Sequence, residues 1–165
     1  MNLCSLTRLF FTARRRLTSL TITIVTFTMT FIDTSAFLAR YLSRDQYHRA
    51  ALDTWRALEP AGEPLVTSNF VLDETFTLLG RYTNYLFAAE RAKIIYASQA
   101  LTILRPGLDD ELAALELFSK YADQRISFTD ATAFVLMRKH GIARVFSFDR
   151  HFAYAGFELM PAARL

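Results

Sequence analysis

The sequence predicts an α/β domain, with a central parallel sheet of four to five short strands flanked by helices on both faces. Three observations predict it. Short β-branched and aromatic runs alternate with segments of helical apolar spacing through residues 29–165, the order that builds a parallel sheet covered on both sides. From Ala131 to Met137 nearly every residue is apolar, so a helix there is buried all round. Single acids close two of the strand-like runs, Asp33 and Asp149, and the C-terminal edge of a parallel sheet is where ligands and catalytic groups gather.

In chain order, Met29 to Asp33 is a short buried strand ending in an acid, and Thr34 and Ser35 are placed to cap a helix over Ala36 to Leu42. Tyr47, Ala51, Trp55 and Leu58 mark an amphipathic helix from Gln46, closed by Pro60 and Gly62. Pro64 to Thr67 is the second strand. A helix follows from Ser68 to about Arg81, with Phe70, Val71, Glu74 and Leu78 on its inward stripe, so Glu74 rather than Asp73 is on the buried side. Next come a helix from Asn84 to about Ala100, a strand over Leu101 to Leu104 and a turn at Pro106 and Gly107. The helix from Leu108 to Ala122 is expected to turn Leu108, Leu112, Leu115 and Ala122 inward. Its acids Asp109, Asp110 and Glu111 crowd the first turn, where the helix dipole favours them. After the apolar helix, Gly141 occupies the left-handed end position, and Arg144 to Phe148 form a strand that stops at Asp149.

Composition bounds the function. At 165 residues and 52% hydrophobic, with 15 Phe and 7 Tyr, the chain suits one domain with a real core and is far from disordered composition. One cysteine, Cys4, excludes an intramolecular disulfide and fits a reducing, cytoplasmic setting. His48, His140 and His151 lack metal-ligand spacing and read as surface or capping residues. The net charge of +3 comes from Arg8, Arg14, Arg15 and Arg16; without them fifteen basic residues face sixteen acidic ones. Any nucleic-acid contact must therefore come from local patches.

Those arginines lie in residues 1–28, an acid-free stretch whose apolar residues are broken by Thr too often for a secretory core or a membrane span. It reads as a targeting segment, a disordered basic arm, or, the favoured reading, sequence upstream of a natural start at Met29 and dispensable for the fold.

Four acids are the candidates for chemistry: Asp33, Glu74, Asp130 and Asp149. Each has a plain role open to it. Asp33 and Asp149 suit caps for the helices that follow, Ser127 and Asp130 fit the reciprocal capping pattern, and Glu74 suits pairing with an arginine. Brought to one sheet edge they form an all-oxygen set, which favours Mg2+ or Mn2+ and disfavours zinc. An ion held so suits phosphodiester hydrolysis, by activating water and neutralising charge on the phosphate, with no serine or cysteine nucleophile.

The segments FIDTSAF, VTSNFVLDETFTLL, ADQRISFTDA and VFSFDRHF, with the closing GFELM, resemble PIN-domain ribonucleases of the VapC-like toxin type, from type II toxin-antitoxin systems. The likeness spans Met29 to Leu165. It implies a PIN-like fold, a metal-dependent endoribonuclease, and a cognate antitoxin protein that blocks the site until it is degraded. By this resemblance Asp33, Glu74, Asp130 and Asp149 are the catalytic, metal-holding quartet, with Asp33 and Asp130 as direct ligands and Asp149 acting through water or from behind them. Ser35 matches a hydroxyl near the first acid, and Ser127 is a further support. A homodimer free of membrane is expected. Arg40, Arg44, Arg81, Arg125 and Arg150 lie near the acidic motifs and are candidate phosphate contacts. Two other classes compete: a catalytically inactive PIN-fold module that binds RNA or protein, and a membrane-attached protein resting on the first 28 residues.

Overall fold

The computed structural model describes residues 29–161, so the readings of residues 1–28 and 162–165 lie outside the described residues. Five strands form one parallel sheet in the order β3-β2-β1-β4-β5: β1 (Thr30–Ile32), β2 (Leu65–Ser68), β3 (Leu101–Leu104), β4 (Arg144–Phe146) and β5 (Glu158–Met160). Seven α-helices connect and cover them: α1 (Thr34–Tyr41), α2 (His48–Ala61), α3 (Asn69–Tyr82), α4 (Tyr85–Ala97), α5 (Leu108–Lys120), α6 (Phe128–Lys139) and α7 (His151–Tyr154). Central β1 is buried on both faces, as an all-parallel strand should be, and Phe31, Ile32, Val145 and Phe146 are sealed from solvent. At the sheet's N-terminal edge Glu63 accepts from Thr30 Oγ1 at 3.1 Å and, on both oxygens, from Arg144 Nη1 at 3.1 Å. This pins β1, β2 and β4 at one end. The opposite end is left to the acids.

Helix boundaries follow local chemistry. Ser68 and Asn84 sit just before α3 and α4, and their side chains accept the Val71 and Phe87 N–H groups. Gly62 and Gly141 take φ of 59° and 65° at the ends of α2 and α6, where a side chain would strain. Helix α6 is buried nearly all round, as its composition predicts: Ala131, Thr132, Ala133, Phe134, Leu136 and Met137 are all covered. Among the described residues no helix is long and apolar enough to cross a membrane.

Several expectations are corrected. Asp33 itself caps α1, accepting the Ser35 N–H, and Thr34 and Ser35 lie inside the helix. On α3 the buried residues are Val71, Leu72, Thr75, Leu79 and Gly80, with Phe70 and Leu78 half-buried; Glu74 is half-buried and Asp73 exposed, as expected. Strand β4 ends at Phe146, two residues early, because its neighbours end there too: Phe146 pairs with Ile32 and Met160, the last residues of β1 and β5. The helix expected after Asp149 is α7, whereas β5 is a fifth strand that the sequence alone does not place. Helix α5 is rotated from the expected face: Leu108, Leu112 and Leu115 are 72%, 50% and 50% exposed, Ala122 is exposed beyond the helix end, and Asp110 and Ala114 face inward on α6. Asp110 does more than complement a dipole. Its oxygens each lie 2.8 Å from Lys139 Nζ and one accepts the Gly107 N–H; the Lys139 bond, then Gly107, hold its carboxyl below the ordinary value.

Candidate active site

The two best-placed acids come from chain segments that the parallel sheet forces together. Asp33 directly follows central β1, and Ser147 directly follows its neighbour β4, so both lie at the C-terminal edge. There Asp33 Oδ2 accepts three bonds, from Ser35 Oγ at 2.7 Å, Ser147 Oγ at 2.8 Å and Ser35 N–H at 3.2 Å. The hydroxyls also bind the segment leading to the fourth acid: the Phe148 N–H donates to Ser35 Oγ at 2.9 Å and the Asp149 N–H to Ser147 Oγ at 3.0 Å. Two serines thereby fix Asp33 and Asp149 in one frame.

Glu74 reaches the same region from α3, held by Thr34 Oγ1, which donates to Oε2 at 2.7 Å. No arginine pairs with it among the described residues, so that plain role is not taken. Asp130 is indeed in a capping box: Oδ2 accepts from the Ser127 N–H at 2.8 Å and Ser127 Oγ at 2.7 Å, while Ser127 Oγ accepts the Asp130 N–H. Asp149 Oδ1 accepts the His151 N–H at 2.9 Å and lies 2.8 Å from the His151 ring Nδ1, whose angle does not make a hydrogen bond.

Capping does not exhaust these groups. Burial raises the Asp33 carboxyl above its ordinary value against the pull of its serine bonds. Burial, then the negative charge of Asp33, pushes Asp130 up to about 6 despite its Ser127 bonds, and Asp149 adds to the rise. Burial likewise raises Glu74, with Asp33 and Asp73 contributing. The charge of Asp33 thus acts on both Glu74 and Asp130, which places it at the centre of the group.

The donor chemistry fits a hard cation. In each carboxylate one oxygen is engaged, Asp33 Oδ2, Glu74 Oε2, Asp130 Oδ2 and Asp149 Oδ1, and the second accepts no hydrogen bond from a described residue. Four oriented acids with four uncommitted oxygens are the ligand type that Mg2+ and Mn2+ take. Among the described residues no group of three acidic, histidine or cysteine side chains stands close enough to hold an ion as placed.

Sequence reasoning did not name Ser147 and gave Thr34 only as a helix cap. Both are buried hydroxyls whose partners, Asp33 and Glu74, are distant in sequence, so local spacing carries no signal for them. Ser147→Ala is expected to leave the fold intact and weaken metal affinity about 10-fold, since hydroxyls that orient a ligand carboxylate act at that scale. A metal titration beside thermal melts checks it.

The pattern that defines the PIN domain matches residues 30–158. The chain belongs to the PIN-domain family. This PIN domain is 37% identical over 134 residues to the 23S rRNA-specific endonuclease VapC20 of Mycobacterium tuberculosis, covering 81% of this chain and 99% of the relative. The crystal structure of that VapC20, described as a sarcin-ricin loop cleaving toxin, matches with a TM-score of 0.69 at 34% identity, over 79% of this chain and 96% of the other. PAE2754 from Pyrobaculum aerophilum shares the fold, with a TM-score of 0.55 at 17% identity over 81% of this chain and 90% of its own. This PIN domain is an endoribonuclease of the VapC-like toxin type, as its motif segments implied. PIN nucleases of this kind depend on a divalent metal ion, and VapC-like toxins act on RNA and are opposed by an antitoxin.

Proposed function

We propose that this chain hydrolyses a phosphodiester bond in ribosomal RNA, with Mg2+ or Mn2+ held by Asp33, Glu74, Asp130 and Asp149. The observation that supports it most is the arrangement of four carboxylates at one sheet edge, each with one oxygen tied to a hydroxyl or N–H and one that accepts no hydrogen bond from a described residue. When bound, the ion supplies a nucleophilic water at neutral pH and charge neutralisation at the phosphate. The protein's own part is positional. Ser35 and Ser147 hold the Asp33 carboxylate in one orientation, Thr34 aims Glu74, and Ser127 aims Asp130. Hydroxyls, unlike lysines, orient these acids without cancelling the negative charge that a cation needs. The ribosomal target is the reading favoured by the VapC20 relative, which this chain covers almost end to end.

We further assign a cytoplasmic setting, a cognate antitoxin and a homodimer. An antitoxin arginine suits the acidic cluster, because a guanidinium pairs with carboxylates bidentately. Of the five arginines named from sequence, Arg40 is engaged over Trp55 at 4.5 Å, whereas Arg44, Arg81, Arg125 and Arg150 are exposed and free to meet phosphate. Exposed Leu108, Leu112, Leu115 and Phe118 on α5 supply an apolar surface for pairing two copies.

The test is incubation of the purified chain with intact ribosomes and with total RNA, in magnesium, in manganese and in chelator. One discrete cut in ribosomal RNA that requires the metal is expected. Cleavage undiminished in chelator, or uniform degradation of all RNA, would overturn the reading.

A further inference from the structure

Between the α1–α2 loop and the segment after β4 lies a cavity of about 500 Å³ whose lining includes Leu38, Asp45, Gln46, Tyr47, Phe148 and Asp149. It adjoins the acids, because Asp149 and Ser35 line it too. Its aromatic wall is built outward from the core. Phe148 meets Phe146 of β4 edge-on at 5.9 Å, and Tyr47 stacks flat on Phe148, with centroids 4.5 Å and planes 7° apart. The stack ends in Tyr47, which was expected on the inward stripe of α2 but sits just before that helix and is 41% exposed.

The loop carrying Tyr47 is held in place. The Tyr47 N–H donates to Asp45 Oδ1 at 2.7 Å, the Asp45 N–H to Leu42 O at 2.9 Å and the His48 N–H to Asp45 O at 3.1 Å, while His48 Nδ1 lies 2.7 Å from Ala39 O. Asp45 Oδ2 accepts nothing from the described residues and remains for a ligand.

We propose that this cavity is a nucleobase subsite, in which the unpaired base next to the scissile bond lies against Tyr47 and presents its Watson–Crick edge to Asp45, favouring guanine. The proposal rests on the ribonuclease reading above and adds the residues that choose where the cut falls. Its parts are those by which unpaired RNA is recognised: an aromatic platform for the base face and fixed polar groups for the edge. The volume is that of ordinary ligand pockets, ~300–1,000 Å³. A carboxylate only accepts hydrogen bonds, so it selects bases with donors, and guanine offers an adjacent ring N–H and amino group. Arg150, on the rim of the same cavity, supplies a cation for the neighbouring phosphate.

The experiment uses the full chain and short single-stranded RNAs that carry thienoguanosine, a fluorescent guanine analogue that keeps the ring N–H and amino donors, or an abasic site, at successive positions around the mapped cut. In chelator, wild type should quench the guanine analogue at one position, Tyr47→Phe should retain the quench and Tyr47→Ala should lose it. In magnesium, Tyr47→Ala should lower kcat/KM about 5- to 100-fold. An abasic site should slow wild type by at least that factor and cost Tyr47→Ala less, the remainder being the Asp45 contact, as for changes that share one of two contacts. Asp45→Asn should lose the preference for guanine while keeping its melting temperature. The proposal falls if a folded Tyr47→Ala cuts like wild type, if it keeps the full abasic penalty, or if Asp45→Asn keeps the base preference. A Tyr47-dependent quench without cleavage would sink the nuclease reading and leave the subsite standing. Cleavage indifferent to the base would do the reverse.

Discussion

Asp33→Asn is expected to lower RNA cleavage about 1,000-fold or more, a loss on the order of 4 kcal/mol in transition-state stabilisation. The reason lies in its position. Asp33 is the most buried of the four acids, is bonded by two serine hydroxyls and a backbone N–H, and is the only one whose charge acts on both Glu74 and Asp130. An asparagine keeps the shape and one acceptor oxygen, so Ser35 and Ser147 retain a partner and the fold survives. What it removes is the negative charge that a hard cation requires. Melting temperature, metal affinity and single-turnover cleavage on the same preparation separate these effects. A variant that melts like wild type, binds no magnesium and does not cut is the expected result. Cleavage within tenfold of wild type would show that the ion, or the chemistry, lies elsewhere.

Such a test is possible because the site was legible in part from residue order alone. A parallel sheet sends the C-terminal ends of its strands to one edge, so acids closing β1 and following β4 had to meet once the alternation of strand and helix was read. Helical spacing put Glu74 rather than Asp73 on the covered side of α3, because residues three and four apart share a face. The capping pattern between Ser127 and Asp130 was equally local, and the structure contains it.

What could not be read depends on partners far apart in the chain. The contact between Ser147 and Asp33 spans 114 residues, and nothing near either residue announces it. Helix α5 shows a second limit. Its leucines at positions 108, 112 and 115 form a stripe that normally faces a core, yet α5 meets α6 through Asp110, Ala114 and Lys139 and leaves the stripe outside. Periodicity states which residues share a face; it does not state whether the chain itself or another molecule covers that face. Tyr47 is a third case, an aromatic at helical spacing whose ring instead extends the stack on Phe148.

Burial of Asp130, with the charge of Asp33 beside it, sets the second large effect, on stability rather than rate. Asp130 has a folded-state value of about 6 against an ordinary 3.8, so the folded chain binds its proton more tightly than the unfolded chain does. The resulting stabilisation is fully present below about pH 3.8 and is lost as pH rises through 6. In chelator at pH 8 the ionised carboxylate is thus a burden of about 2 to 3 kcal/mol on the fold relative to acid conditions. Asp130→Asn removes that charge while its amide oxygen can still accept the Ser127 N–H, so the capping bond remains available. The variant is expected to melt several degrees above wild type at pH 8 in chelator, with the difference shrinking toward pH 4. Saturating magnesium should close most of that gap, because an ion that binds only the folded site adds about 2.7 kcal/mol at a hundredfold excess over Kd, and the variant, which has surrendered a ligand, gains less. Calorimetric melts of both chains at the two pH values, with and without magnesium, check the whole cycle. A variant that melts lower than wild type in chelator at pH 8, yet gains as much from magnesium, would mark Asp130 as a helix cap and move the metal to the other acids.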